Sequence, residues 1–209
     1  MPIITMNQGE FDYMLEKFRT FPTSPSDEQI AYALKHLSYA RIDNWFDTDF
    51  NTFGWWVEIA LFFLSLIVWW KLVDKNRLLE LTFYGFTIMT VSIWLDEIGY
   101  ELGLWYYPVD LIPIFPPSSV IDYIMLPVIY ALIYQYCSSW RSFTFAIVFM
   151  ACVFCFTLEP LLVKLGFYVL VKWKFHYGFP IYIAIGIYMK IVVEKIKAIM
   201  ANSTDQAAK

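Results

Sequence analysis

The sequence predicts an all-α, polytopic transmembrane helix bundle of about five spans, preceded by short amphipathic surface helices. Three observations predict it. The chain is 59% hydrophobic and only 16% charged, where a soluble domain has roughly half and a quarter. The apolar excess is gathered into long runs, each near the ~20 residues that a helix needs to cross ~30 Å of hydrocarbon. Aromatic residues make up 21% of the chain, and Trp55, Trp56, Trp69, Trp70, Trp105, Trp140 and Trp173 sit near the ends of those runs. That placement matches the aromatic belt at a membrane–water interface.

The elements follow in order. Residues 1–53 form a polar, acidic segment outside the membrane. Phe11, Met14, Leu15 and Phe18 recur at helical spacing and predict a short amphipathic helix, broken by Phe21 to Pro25. Ser26-x-x-Gln29 has the form of a capping box and opens a second helix, expected to run through about Arg41 with Ile30, Leu34 and Leu37 on its apolar face. Both helices are expected on the membrane surface or over the mouth of the bundle. No cleavable signal peptide is expected, because the first fifty residues lack an apolar core of the right length.

Five spans are predicted over 54–73, 79–104, 119–137, 143–163 and 177–196, making a transmembrane domain of 54–196 followed by a polar tail, 197–209. An odd number of spans does not divide into two equal inverted halves, which argues against the common transporter architecture. Lys71, Lys75, Arg77, Arg141, Lys190, Lys195 and Lys197 fall on one side. Lys35, Arg41, Lys164, Lys172 and Lys174 fall on the other. The richer side is assigned to the cytoplasm of a plasma-membrane protein, with the N-terminal segment outside and the C-terminus inside.

The chemistry lies in six acids that sit inside or at the edges of apolar runs: Glu58, Asp96, Glu97, Glu101, Asp122 and Glu159. An ionisable side chain in hydrocarbon is costly and marks a functional site by default. Threading the five spans puts all six in one leaflet half. In the second span, Gly85, Ser92, Asp96, Gly99 and Gly103 form a small, polar stripe, and Gly99-x-x-x-Gly103 signals close packing of a neighbouring helix. Asp96 is therefore expected to face the bundle interior, with Glu97 and Glu101 on the adjacent face.

Asp96, Glu97, Asp122 and Glu159 are the candidate catalytic residues, and Glu58, Glu101, Trp105 and Tyr107 the candidate ligand contacts. Each acid also has a plainer role. Asp122 completes a capping box with Ser119, Glu58 and Glu101 reach the headgroups, and Glu159 satisfies backbone groups released by Pro160. The loop from Trp105 to Ser118, rich in proline and aromatic residues, is either a lid over the acids or a rigid connector.

A carboxylic acid held neutral in an apolar pocket is a capable proton donor. Two or more ionised acids could instead hold a cation through oxygen ligands, and the sequence does not decide whether a metal binds. No organic cofactor is expected. There is no Gly-rich phosphate loop and no aspartate-rich pyrophosphate motif, so magnesium-assisted ionisation of a prenyl diphosphate is not supported. The net charge of −4 and the lack of a basic stripe argue against nucleic acid as a partner. Cys152-x-x-Cys155 has no second pair or histidine beside it and reads as small buried hydrophobes.

Leu95-Asp96-x-x-Gly99-x-x-x-Gly103-Leu104-Trp105-x-Tyr107-Pro108 resembles a motif of an uncharacterised family of small five-span membrane proteins from spore-forming Gram-positive bacteria. Asp122-Tyr123, Leu126-Pro127-Val128, Tyr134-Gln135-Tyr136, Glu159-Pro160, Trp173-Lys174 and Phe179-Pro180-Ile181 extend the resemblance over about 40–196. It implies the five-span fold and carries no activity. Residues 95–127 are also similar to integral-membrane lycopene cyclases, which cyclise an isoprenoid by acid catalysis. That family's paired glutamates are replaced here by Val120-Ile121-Asp122, and its double phenylalanine is missing.

The expected partners are the lipid bilayer and a lipophilic small molecule. The expected function is the binding of a lipid, a cation or a partner protein at the acidic centre. The alternative is a lipid-modifying or isoprenoid-cyclising enzyme with Asp96 as its proton donor.

Overall fold

The computed structural model describes residues 26–113 and 120–207, the side chains of 204–207 excepted. The predicted helix around Phe11–Phe18 and the capping residue Ser119 lie outside the described residues. The chain divides into two compact units, 1–43 and 44–209.

Helix α1 spans Asp27–Thr48, seven residues beyond the expected end at Arg41. Its capping box forms as predicted: the Gln29 N–H donates to Ser26 Oγ at 3.3 Å and the Ser26 N–H to Gln29 Oε1 at 3.0 Å. Ile30, Leu34 and Leu37 stay exposed. Asn51, at a φ of 61°, turns the chain. Thr52 then caps α2 (Phe53–Leu72) by accepting the Trp55 N–H.

After a single 3₁₀ turn at Lys75–Arg77 comes α3 (Leu78–Glu101). A π-helical turn, Ile121–Met125, leads into α4 (Leu126–Tyr136). Helix α5 (Trp140–Val153) likewise passes through a π turn, Phe154–Leu158, into α6 (Glu159–Leu165). Each π turn precedes a proline, Pro127 or Pro160, close to the start of the next helix. A proline ring clashes with the carbonyl four residues back, and the wider π turn relieves that crowding. Helix α7 (Phe175–Ala207) is longer than the predicted fifth span and continues through most of the polar tail. The short strands β1 (Trp105–Tyr106) and β2 (Val169–Leu170) pair antiparallel, Trp105 opposite Leu170.

Among the described residues, three helical segments are long and apolar enough to cross a membrane: Phe53–Leu72, Lys75–Glu101 and Trp140–Leu165, of 20, 27 and 26 residues. The apolar segment Ile121–Tyr136 is shorter. Helix α2 shows what kind of surface this is. Its buried residues are Glu58 and Ser65, while Phe63, Leu64, Leu66, Ile67 and Trp70 point outward. A helix on a water-soluble protein does the reverse.

The apolar core joins α3, α4, α5 and α7 through Leu81, Tyr84 and Ile88, Leu126 and Tyr130, Phe143 and Ile147, and Ile185, Met189 and Val193. Small residues let the helices approach. A Cβ on Gly85 would meet the Pro127 carbonyl at 3.6 Å, and one on Gly186 would come within 2.8 Å of the Tyr130 ring and 3.1 Å of Ile147. Tyr84 donates to the Gly186 carbonyl at 3.2 Å, and Tyr130 to the Tyr182 carbonyl at 2.6 Å. Gly186→Ala gains helix propensity of up to ~1 kcal/mol but forces a methyl onto an aromatic ring, at about 1–3 kcal/mol. The expected result is a lower thermal unfolding midpoint in detergent; an unchanged or higher midpoint would show that α7 can shift.

One end of the bundle is polar and basic. Glu80 bonds Arg77 at 3.0 Å, Lys197 at 2.8 Å and the Tyr134 hydroxyl at 2.8 Å. Gln135 accepts the Asp74 N–H at 2.8 Å and donates to the Leu72 carbonyl at 2.9 Å. Lys190, counted above as a flanking charge, is instead 1% exposed. Its ammonium pairs with Glu194 at 3.1 Å and lies 4.8, 5.2 and 4.6 Å from the ring centroids of Tyr134, Trp140 and Phe143.

Candidate functional site

The opposite end of the bundle encloses a cavity of about 490 Å³. Glu58 of α2, Asp96 of α3, Asp122 of the first π turn and Glu159 at the start of α6 all line it. Sequence-distant acids thus converge because four segments present them to one space. Two of the four stand at π turns, which widen the helix beside the cavity. Apolar side chains, among them Leu61, Val120, Met125, Phe154, Ile181 and Ile185, make most of the wall.

The other two predicted acids are not brought in. Glu97 is half-buried and Glu101 is exposed, and neither lines the cavity. At 3.6 residues per turn they stand about 100° and 140° round α3 from Asp96, so one leaflet half does not mean one site. Gly103 also leaves the predicted stripe. The helix ends at Glu101, and Gly103 adopts a φ of 62° beyond it, its N–H donating to the Tyr100 carbonyl while the Leu104 N–H reaches the Gly99 carbonyl. Only a residue free of a Cβ takes that left-handed turn cheaply.

That turn folds the following loop back over the site. Gly99 packs against its own chain's Trp105 and not against a neighbouring helix: a Cβ there would sit 2.1 Å from the indole ring. Trp105 Nε1 donates to Asp96 Oδ1 at 3.0 Å, and the Tyr107 hydroxyl donates to the same oxygen at 2.5 Å. Both predicted aromatic contacts therefore line the cavity and hold Asp96. Downstream, Asp110 accepts from Trp45 Nε1 at 2.8 Å, and its N–H donates to Asp49 Oδ2 at 3.1 Å. Trp55 Nε1 donates to the Leu111 carbonyl at 3.1 Å. The described part of this loop is both wall and anchored connector.

On the far wall, the Tyr182 hydroxyl donates to Glu159 Oε1 at 3.0 Å. So one oxygen of Glu159, Oε1, is held by a side chain of α7. Tyr107 and Tyr168 stack at 5.3 Å, and Trp173 meets Trp105 at 5.0 Å. Burial, with the Asp122 and Asp96 carboxylates close by, pushes the Tyr107 hydroxyl well above the usual phenol range. Burial also raises that of Tyr168, helped by Glu159, Asp96 and Asp122. Both phenols stay protonated and remain hydrogen-bond donors.

Tyr168, Trp173 and Tyr182 were not among the sequence-predicted site residues. Tyr182 had a signal, since Gly178, Tyr182 and Ile185 repeat at helical spacing on α7 and all line the cavity. Tyr168 and Trp173 had none, because their approach depends on the pairing of β1 with β2 and on the Leu104 carbonyl accepting the N–H groups of Val171, Lys172 and Trp173.

Glu58, Asp96 and Glu159 are 5, 7 and 8% exposed. Each has one carboxyl oxygen, Oε2, Oδ2 and Oε2 respectively, shut off from solvent without a hydrogen-bond partner among the described residues, as does Ser92 Oγ. Buried polar atoms are normally paired. Cys155 is buried and Cys152 half-buried, both free thiols. No group of three His, Cys, Asp or Glu residues among those described is placed to hold a metal ion. Comparison with family models, curated proteins and solved structures found no match.

Proposed function

We propose that this chain is a five-span plasma-membrane protein, N-terminus outside, that binds a lipophilic small molecule in its acid-lined cavity. The observation that carries the reading is the meeting of four carboxylates from four segments on an otherwise apolar cavity of about 490 Å³. That volume lies within the roughly 300–1,000 Å³ of small-molecule pockets, which are mostly apolar with a few convergent polar groups. The three long apolar helices support the membrane setting. Ile121–Tyr136 and the apolar half of α7 supply the third and fifth spans. The basic end of the bundle would face the cytoplasm.

A second reading has its own observation. Asp96 Oδ1 accepts two hydrogen bonds, while Oδ2 has no partner. A proton carried on Oδ2 could be given to a bound isoprenoid, since the two donors on Oδ1 stabilise the carboxylate left behind. The rings of Trp105, Tyr168 and Trp173 would face a developing carbocation. In that reading Glu159 and Asp122 orient the donor or stabilise the cation.

Mass spectrometry of lipids co-purifying with wild type and with Asp96→Asn tests both. A discrete lipophilic compound found with wild type and depleted in the variant is the expected result. Conversion of that compound by wild type alone would favour the enzyme. Bulk phospholipid in both samples would remove the support for a ligand site.

A further inference from the structure

Resting on the ligand-binding reading, we infer that the cavity selects a membrane-dissolved amphiphile with a protonated amine head. The argument begins with the charge of the wall. Among the described residues, four carboxylates line the cavity, and no lysine, arginine or histidine does. Glu58, Asp96 and Glu159 line it, are more than nine-tenths buried, and each has one carboxyl oxygen with no hydrogen-bond partner among the described residues. The donors already present reach the other oxygens: Trp105 and Tyr107 bond Asp96 Oδ1, and Tyr182 and the Cys155 thiol bond Glu159 Oε1. A ligand with several N–H donors would complete the unpartnered oxygens; an anionic head would meet like charge.

The alternative cations fit less well. A calcium ion takes six to eight oxygens at close range, and no three candidate ligands among the described residues gather in that way. An organic ammonium needs one or two acceptors and a soft wall. Trp105, Trp173, Tyr107, Tyr168 and Phe154 offer ring surfaces in the same cavity, and an ammonium is attracted to ring faces as well as to carboxylates.

The apolar part of the ligand follows from the way in. Leu95 and Ile98 of α3 and Leu161 and Leu165 of α6 line the cavity, yet are 41, 51, 46 and 60% exposed on the outer apolar surface. At these helices the cavity wall is also outer surface, with no further layer among the described residues. A ligand already dissolved in the bilayer can enter there with its chain trailing in hydrocarbon.

The test uses the full chain in nanodiscs of neutral lipid and three probes sharing one dodecyl chain brominated in its half nearer the head: the amine, the alcohol and the carboxylate. Bromine in the cavity quenches the tryptophans that line it, and empty nanodiscs correct for partitioning. The amine is expected to quench saturably at a concentration at least about tenfold below the alcohol, with no saturation by the carboxylate. Glu159→Gln, which keeps an acceptor for Tyr182, should raise the amine's half-saturation by a larger factor than the alcohol's. Equal or tighter binding of the alcohol or carboxylate would overturn the amine selectivity and leave the ligand site standing. An equal effect of Glu159→Gln on amine and alcohol would also overturn it. Saturation by none of the three would overturn both.

Discussion

Lys190→Ala is expected to unfold the bundle at a markedly lower temperature, whereas Lys190→Met leaves the midpoint nearly unchanged. Lys190 is 1% exposed, and its stem and ammonium fill the space among Tyr134, Trp140 and Phe143. Truncating a fully buried long side chain removes its contacts and leaves a cavity, at a cost of about 2–5 kcal/mol. Methionine keeps the volume. It forfeits the pair with Glu194, but Glu194 is itself 38% exposed and can be rehydrated. The desolvation of a buried ammonium also disappears, so replacing a buried charge with an apolar group of similar volume is often neutral or stabilising. Thermal unfolding in detergent, followed by reaction of the buried Cys155 thiol with a fluorogenic probe, gives the comparison. If methionine proves as damaging as alanine, the charge and not the volume holds this end together. A harmless alanine would mean that Lys190 is not a packing residue.

Gly99→Ala is expected to abolish the site while leaving the fold in place. The substitution favours the helix by up to ~1 kcal/mol. Its methyl, however, would sit 2.1 Å from the Trp105 indole, too close for any small adjustment. Trp105 must leave, and Asp96 then loses the donor at 3.0 Å and the wall that Trp105 provides. The loop beyond is independently tied through Trp45, Asp49 and Trp55, so unfolding should not follow. The expected outcome is a thermal midpoint within about 1 kcal/mol of wild type, with loss of the saturable quenching and of the co-purifying ligand. Retained ligand binding would show that Trp105 is not part of the site; a collapse in stability would show that the loop is part of the core.

Much of this site could be read before the structure. Glu58, Asp96, Asp122 and Glu159 were legible because an ionisable side chain in an apolar run is costly and marks a functional site by default, even where a plainer role can be named. Trp105 and Tyr107 were legible because they stand in the aromatic, proline-rich loop that follows the helix carrying Asp96. The failures have physical causes too. Glu97 and Glu101 lie on the face of α3 adjacent to Asp96, as periodicity placed them, but periodicity does not show how far round the helix the cavity reaches. Gly103 looked like part of a packing stripe, yet the left-handed cap that it forms is a backbone conformation and leaves no mark on periodicity. Lys190 looked topogenic because a lysine near the end of an apolar run usually reaches water. Here three aromatic rings from α4 and α5 close over it, and none of them is near it in sequence.

The sequence by itself determined the helical class, the apolar surface and the six acids from which the cavity draws its four. Each of these follows from local composition and from the cost of polarity in hydrocarbon. Only the tertiary structure decided which acids share one cavity, that two π turns present Asp122 and Glu159 to it, and that Tyr182, Tyr168 and Trp173 complete its wall. Those facts depend on helix azimuth, on the widening of helices before Pro127 and Pro160, and on contacts between residues far apart in the chain. Such quantities exist only once the helices have packed.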